Sequence, residues 1–227
     1  MRDSVRINTE GFWIFLEALR AGRRRSARSS RTASSYFVDE GCGRLTMDMV
    51  LVGDGGAALP EFKIARRLRD QATDMVLPSL EIAGPGGHWV EVSRAICAGG
   101  AEQRDAQMLE AYEEYYEAAQ RRAAAHGATA HDVHRAVSKG FIDRGFKLGH
   151  VTGHSIGMTM IECPKIGEGD ETELRENMVF SMHPHAIAPD GRGVPLHAGH
   201  VARHGGRRRA ARGGLPMKIF DGTESRP

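Results

Sequence analysis

Three short segments between positions 153 and 185 carry the most informative chemistry of this chain. They read Gly153-His154-Ser155-Ile156-Gly157, then Glu162-Cys163-Pro164, and then Asn177-Met178-Val179-Phe180-Ser181-Met182-His183-Pro184-His185. Glycine and proline bound these segments, and such short segments can present imidazoles and a carboxylate to a single cleft. His154, His183 and Glu162 are therefore candidate site residues.

Two acidic residues earlier in the chain are candidates for the same site. Glu81 and Glu91 lie on two extended segments joined by the turn Gly84-Pro85-Gly86-Gly87, so in a hairpin their side chains could reach one side of a sheet. Carboxylates neutralise a divalent cation and imidazoles supply further ligands, and the cation lowers the pKa of a bound water. Taken singly, each residue also has an ordinary explanation, because a lone Glu is usually solvated and a lone His usually bonds to backbone.

The rest of the chain alternates between extended and helical patterns. Turn residues separate three extended stretches, Leu45 to Val52, Met75 to Ala83 and Trp89 to Ile96. Apolar periodicity predicts helices over Val5 to Ala21 and Glu102 to Ala125, and a third helix that starts at a capping box of Thr129 and Asp132 and stops near Gly145. Because strands, helices and strands follow one another, we expect an α+β fold, an antiparallel sheet with its helices gathered on one face.

The quoted segments resemble those of the creatinase and aminopeptidase P family, the M24 pita-bread metallopeptidases that also include methionine aminopeptidase and prolidase. The resemblance reaches back to Glu81-Ile82-Ala83-Gly84 and Glu91-Val92-Ser93-Arg94, and it covers about 36–191 with a short recovery at 215–222. It implies a pita-bread fold, in which a curved antiparallel sheet carries helices on its outer face. It also implies a metal-dependent hydrolase similar to Xaa-Pro aminopeptidase or dipeptidase, which cleaves a peptide or amide bond with metal-activated water.

The resemblance also assigns residues to roles. A site of this family is dinuclear, held by two Asp, one His and two Glu, and the matching positions here are Glu81, Glu91, His154 and His183. The resemblance further implies that His150 shapes the substrate pocket, that Glu162 shuttles protons or orients a ligand, and that Glu61 stands in place of a substrate-facing histidine.

This chain departs from the family pattern at several of these positions. Glu81 and Glu91 stand where Asp is usual, His183 replaces a Glu, and Ile161 replaces a histidine before Glu162. Exchanging a charged oxygen donor for a neutral nitrogen favours a softer site, with one divalent ion of Mn, Zn, Fe or Co rather than two. Two alternatives stay open: a metal-free, creatinase-like attack on a C–N bond by His154, His183 and Glu162, and an inactive, degenerate family member.

Two arginine-rich blocks, 20–35 and 196–213, interrupt the single catalytic domain that we expect over 1–227. The first has no apolar period over Arg23 to Arg31, which predicts a solvated loop or disordered arm, and the second lacks the chemistry of a strand. Such Arg/Ala/Gly/His-rich text is typical of a GC-rich gene read out of frame, so we hypothesise compensating frame shifts, with a natural basic insertion as the alternative. The histidines of the second block, His197, His200 and His204, are then an accidental run.

Composition limits the partners and the compartment. The 227 residues carry a formal net charge of +2 and three widely spaced cysteines, which favours a reducing, cytoplasmic setting. No apolar run is long enough for a membrane span and no signal peptide opens the chain, so we expect no membrane association. The sequence also lacks aromatic residues placed to stack on nucleic-acid bases, so we expect no nucleic-acid partner. The resemblance implies a small peptide or amide substrate, a homodimer, and an N-terminal domain without a counterpart here, as in a fragment.

Overall fold

The structure is a computed structural model. It describes residues 1–21, 26–53, 75–97, 106–149, 151–189, 199–202, 210–211, 215–216, 218, 220–222 and 224–226. The helices are α1 (Arg2–Ala21), α2 (Ser26–Asp39), α3 (Ala106–Ala123) and α4 (Ala130–Ile142). The strands are β1 (Arg44–Gly53), β2 (Met75–Ala83), β3 (Trp89–Ser93), β4 (Ile96–Cys97), β5 (Lys147–Leu148), β6 (Gly153–Ser155), β7 (Glu162–Ile166), β8 (Val179–Met182), β9 (Ala186–Ile187), β10 (Gly199–Ala202), β11 (Ala210–Ala211) and β12 (Phe220–Asp221).

The strands form two five-stranded sheets and one small ladder. The first sheet has the order β1-β2-β4-β12 with β3 paired to β2, and the second has the order β11-β10-β8-β6-β7. Strands β5 and β9 form the ladder. All pairings in the described ranges are antiparallel except that of β12 with β4, which is parallel. The α+β class predicted from the sequence is confirmed.

Helix α1 packs against α2 and the first sheet. Phe12 and Trp13 of α1 contact Phe220 edge to face, with ring centroids 4.9 and 5.4 Å apart. Arg94, buried after β3, donates hydrogen bonds to the carbonyls of Leu215 and Pro216. These contacts pack Leu215, Pro216 and Phe220 against the first sheet and α1. The family resemblance resumes in this same segment, 215–222.

The prediction of a loop or disordered arm over Arg23 to Arg31 is wrong for the described part of that stretch. Residues from Ser26 onward form α2, and Ser29, Ala33 and Phe37 are buried where this helix meets α1. The sequence pattern failed because the buried positions on the early turns of α2 are serines and alanine. Their small side chains allow close helix packing without an apolar stripe.

The helices α3 and α4 cover the second sheet, and both were predicted. Thr129 caps α4 through the expected capping box: its hydroxyl accepts from the Asp132 amide while the Asp132 carboxylate accepts from the Thr129 amide. Tyr112 of α3 and Phe141 of α4 pack with ring centroids 5.1 Å apart. The Tyr112 hydroxyl donates to the Pro184 carbonyl, so the helix pair is anchored to the segment after β8.

The second arginine-rich block also contains strands where none was expected. Gly199–Ala202 forms β10, which pairs along its length with β8, and Ala210–Ala211 forms β11 beside it. Segments rich in arginine, alanine and glycine have low strand propensity. Pairing with β8 nevertheless satisfies the backbone hydrogen bonds of β10, whatever its side chains are. No helix in the described part of the chain combines the length and hydropathy needed to cross a membrane.

Candidate metal centre

One group of side chains among the described residues could hold a metal ion. It consists of Glu91 on β3, His154 on β6 and His183 directly after β8, and a ligand atom from each lies within 4.8 Å of the others. Glu91 belongs to the first sheet, whereas the two histidines come from the second. The group therefore forms only where the two sheets meet.

Strand register places the second sheet's contribution on one face. Ser181 of β8 lies directly opposite His154 of β6 on one side and His200 of β10 on the other. Directly paired residues point to the same face of a sheet, and so does His183, which follows Ser181 in the period of a strand. Gly153 allows β6 to approach β8 closely, because a Cβ atom there would lie 2.2 Å from the Ser181 carbonyl oxygen.

His154 is oriented as a metal ligand would be. Its Nδ1 lies 2.9 Å from the Ser155 carbonyl oxygen, which can only accept a hydrogen bond, so Nδ1 carries the proton. In this tautomer the lone pair lies on Nε2. Metal-binding histidines commonly donate their other N–H to a carbonyl in this way, which fixes both the tautomer and the ring orientation.

Glu91 is held by hydrogen bonds at two places. The Ser181 hydroxyl donates to Glu91 Oε2 at 2.7 Å, and the Glu91 amide donates to His200 Nε2 at 2.9 Å. The Glu91 residue is only 8% exposed. A buried carboxylate needs such partners or a cation to offset its desolvation, and one hydroxyl is a weak partner for a full charge.

His183 completes the group from the more open side. Its ring centroid lies 5.1 Å from that of His154, and its backbone amide donates to the Thr152 carbonyl at 2.8 Å. The side chain is half-buried, in contrast to the buried His154. Of the three residues in the group, His183 is therefore the most exposed.

Glu81 lies beside this group but outside it. It is the cross-strand partner of Glu91 in the β2–β3 hairpin, is 5% exposed, and accepts a hydrogen bond from Ser79 at 3.3 Å. The predicted hairpin therefore forms and its two carboxylates share a face, as the turn implied. Within the described ranges, the three-residue group includes Glu91 alone of the two.

The three remaining predicted site residues differ in what the structure says of them. His150 and Glu61 lie outside the described residues. Glu162 begins β7, where its Oε1 accepts from the Thr159 amide at 2.9 Å and from the Thr159 hydroxyl at 3.2 Å. These bonds close the 157–162 turn that connects β6 with β7, and the proton-shuttle role of Glu162 stays a prediction.

Sequence reasoning did not single out Ser181 and dismissed His200 as part of an accidental run. His200 is fully buried, and this burial lowers its pKa to about 4, so the ring is neutral at pH 7. The available signal was the family resemblance itself, which implies that the last metal ligand lies on a strand after Gly191. The arginine-rich composition outweighed that signal.

The donor set of the described group fits one divalent ion. One carboxylate oxygen and two imidazole nitrogens are the ligands of many mononuclear catalytic sites, and each of Glu91 and His154 has an outer hydrogen-bond partner. A pair of hard cations would need bridging carboxylates, and the described group offers a single carboxylate.

Comparison with known proteins agrees with this architecture. The sequence model of metallopeptidase family M24 matches residues 1–207. An Xaa-Pro dipeptidase of Lactobacillus delbrueckii subsp. lactis is 30% identical over 189 residues, which are 82% of this chain and 50% of the relative. An Xaa-Pro dipeptidase of Pyrococcus furiosus is 27% identical over 161 residues, 69% of this chain and 44% of the relative. The chain thus spans about half the length of these curated relatives.

Solved structures share the fold. The X-Pro aminopeptidase from Thermotoga maritima superposes with a TM-score of 0.82 at 20% identity, covering 97% of this chain and 62% of that one. A dipeptidase from Mycobacterium ulcerans gives a TM-score of 0.79 at 24% identity, covering 96% of this chain and 59% of that one. These likenesses confirm the predicted pita-bread fold, and together with the match over residues 1–207 they show that the chain belongs to metallopeptidase family M24.

Proposed function

We propose that this chain is a metal-dependent hydrolase that cleaves the bond before proline in small Xaa-Pro peptides. The observation that carries the proposal is the convergence of Glu91, His154 and His183 within 4.8 Å, with the His154 tautomer already set to leave Nε2 as a donor. A bound divalent ion would supply Lewis-acid chemistry there, by polarising a carbonyl and lowering the pKa of water.

The chain's own residues have separable tasks in this proposal. Glu91 and the two histidines hold the ion, Ser181 fixes the Glu91 carboxylate, and Glu162 braces the turn after His154. One ion is proposed, of Zn, Mn, Fe or Co, since two nitrogen donors and one carboxylate suit a borderline cation. Glu81 is the cross-strand partner of Glu91, and comparison of Glu81→Gln with Glu91→Gln tests whether it is a further ligand.

The substrate class is taken from the relatives. Their names assign them Xaa-Pro dipeptidase activity, and the family is one of metallopeptidases. We propose in addition that 1–227 forms one catalytic domain. A cytoplasmic location and a homodimer stay predictions.

The proposal is tested by metal content and peptide cleavage in the same preparation. Metal-free protein is titrated with Zn²⁺ or Mn²⁺, and release of proline from an Xaa-Pro dipeptide is compared with release of alanine from the matched Xaa-Ala dipeptide. We expect stoichiometric binding near one ion per chain and preference for the proline substrate. His154→Ala should weaken metal binding at least about 100-fold and abolish cleavage. His126→Ala, at an exposed histidine after α3, is the matched control and should retain both.

Each alternative has its own outcome. Hydrolysis of a C–N bond by protein that binds no metal, lost in His154→Ala, would support the creatinase-like reaction instead. A folded protein with neither metal nor hydrolysis would identify an inactive family member.

A further inference from the structure

His200 is a fully buried residue for which no role was predicted from the sequence. It lies on β10, opposite Ser181, and its Nε2 is 2.9 Å from the amide nitrogen of Glu91 on β3. The contact joins the second sheet to the first at the residue that supplies the only carboxylate of the described metal-binding group. His200 therefore touches the candidate site through the backbone of one of its ligands.

The hydrogen bond determines the protonation of the His200 ring. A backbone amide can only donate, so Nε2 must accept with its lone pair. The neutral ring then carries its proton on Nδ1, and neither nitrogen has a free lone pair for a metal. This geometry excludes His200 as a fourth ligand, although its residue type and position would suggest one.

The strand pairing explains what the bond does. In the described part of the first sheet, β3 is paired only with β2, and its other edge faces β10. Because the Glu91 amide points to His200, it lies on this unpaired edge. A buried amide needs an acceptor, and the imidazole supplies one where no strand does.

We infer that His200 is a positioning residue that holds the β3 backbone at Glu91, so that the Glu91 carboxylate meets His154 and His183. The inference rests on the proposed function, because it concerns the same metal group. Ser181 holds the carboxylate and His200 holds the backbone, so the two contacts fix Glu91 at both ends. Packing alone does not account for a histidine here, because His200 Nδ1 is buried without a hydrogen-bond partner among the described residues and an apolar side chain would avoid that cost.

Two substitutions separate positioning from ligation and from packing. His200→Gln places an amide oxygen near the position of Nε2 and keeps the acceptor, whereas His200→Leu keeps the volume and removes it. Zn²⁺ affinity is measured by calorimetric titration, and the visible spectrum of bound Co²⁺ reports the geometry of its ligands. We expect His200→Leu to weaken binding about 10- to 100-fold with an altered Co²⁺ spectrum, and His200→Gln to stay within about threefold of the parent protein.

The other outcomes overturn the inference in distinguishable ways. Equal, large losses in both variants would make His200 a ligand, and unchanged affinity in both would make it a packing residue. If His200→Leu does not fold, His200→Asn takes its place, because its shorter amide cannot reach the Glu91 amide and it should show the same loss.

A readout without metal separates this inference from the proposed function. Imidazole ¹⁵N chemical shifts of the metal-free protein distinguish a protonated from an unprotonated nitrogen, and we expect His200 protonated on Nδ1 and bare on Nε2. A proton on Nε2 would overturn the inference and leave the proposed function standing. A parent protein that shows the expected tautomer but binds no metal would refute the proposed function and with it the positioning role.

Discussion

The two five-stranded sheets bring different chemistry to the point where they meet. The first sheet contributes the carboxylates Glu81 and Glu91 from adjacent positions of one hairpin. The second contributes imidazoles, His154 from β6 and His200 from β10, in a row with Ser181 between them. Neither sheet has on its own the mixed oxygen and nitrogen donors of the candidate metal group, Glu91, His154 and His183.

Because one sheet supplies the carboxylates and the other supplies the imidazoles, the site depends on how the two sheets dock. Glu91 is tied across the junction by His200 and Ser181, and the Trp89 amide donates to the Gly157 carbonyl at 2.8 Å nearby. A metal held by ligands from both sheets would tighten the same junction, so metal binding and stability should be coupled. The predictions below test the two sides separately.

The largest effect is expected inside the second sheet. Gly153→Ala would place a methyl group 2.2 Å from the Ser181 carbonyl oxygen and 3.1 Å from the Met182 Cα, both backbone atoms that cannot move aside alone. The free energy of unfolding should fall by about 3 kcal/mol or more. Urea unfolding measures it.

Gly140→Ala is the matched control for that substitution. Gly140 lies within α4 with no atom within 4 Å of its added Cβ, so alanine should stabilise by about 0.5–1 kcal/mol. Equal midpoints for the two variants would show that β6 and β8 are not in such close contact.

The next effect compares the two carboxylates of the first sheet. Glu91→Gln should weaken Zn²⁺ binding at least about 100-fold, or about 2.7 kcal/mol, because it removes the charged donor of the group. Glu81→Gln, at the paired position, should weaken binding by less than about tenfold. Isothermal titration gives both values, and an equal loss in Glu81→Gln would extend the site to Glu81 as a further ligand or a second ion.

A smaller effect is expected from the hydroxyls that hold these carboxylates. Ser181→Ala removes the 2.7 Å hydrogen bond to Glu91 and should weaken Zn²⁺ binding about tenfold, or about 1.4 kcal/mol. Ser79→Ala removes the 3.3 Å hydrogen bond to Glu81 and should change affinity by no more than about threefold. The reverse order would place the more important carboxylate at Glu81.

The smallest effect is expected for a substitution that lowers the free energy of unfolding without changing Zn²⁺ affinity. Thr129→Ala removes the cap of α4 and should cost about 1 kcal/mol in the free energy of unfolding while leaving Zn²⁺ affinity unchanged. Thr32→Ala in α2, where the hydroxyl bonds only to the Arg28 carbonyl of the preceding turn, should stay within about 0.5 kcal/mol. Thermal unfolding and titration check both, and altered affinity in Thr129→Ala would show that α4 is coupled to the metal group.

Much of the fold was predictable because its cues are local. Thr129 and Asp132 cap α4 as expected, the turn at Gly84 to Gly87 closes the β2–β3 hairpin, and α1 and α3 follow their apolar periods. Capping and turn formation involve residues close in sequence, so residue types alone indicate them. The metal-group candidates His154, His183 and Glu91 were likewise named from their motifs.

Prediction failed where small residues are buried by distant partners. Ser29 and Ser30 lie in a helix against α1, and Gly199 and His200 lie in a strand against β8, inside blocks that looked like frame-shifted text. If the His200 variants behave as expected, the second block encodes a working part of the site. The frame-shift hypothesis is tested separately, by resequencing the gene: an uninterrupted frame through that block would refute it.

The sequence by itself determined the family, the α+β class and the identity of the candidate ligands, because motifs and periodicities reside in residue order. Only the tertiary structure decided that Glu91 joins His154 and His183 while Glu81 stays beside them, and that His200 binds a backbone amide. Those outcomes depend on which edge of β3 faces β10 and on how two sheets dock, which are contacts between residues far apart in the chain.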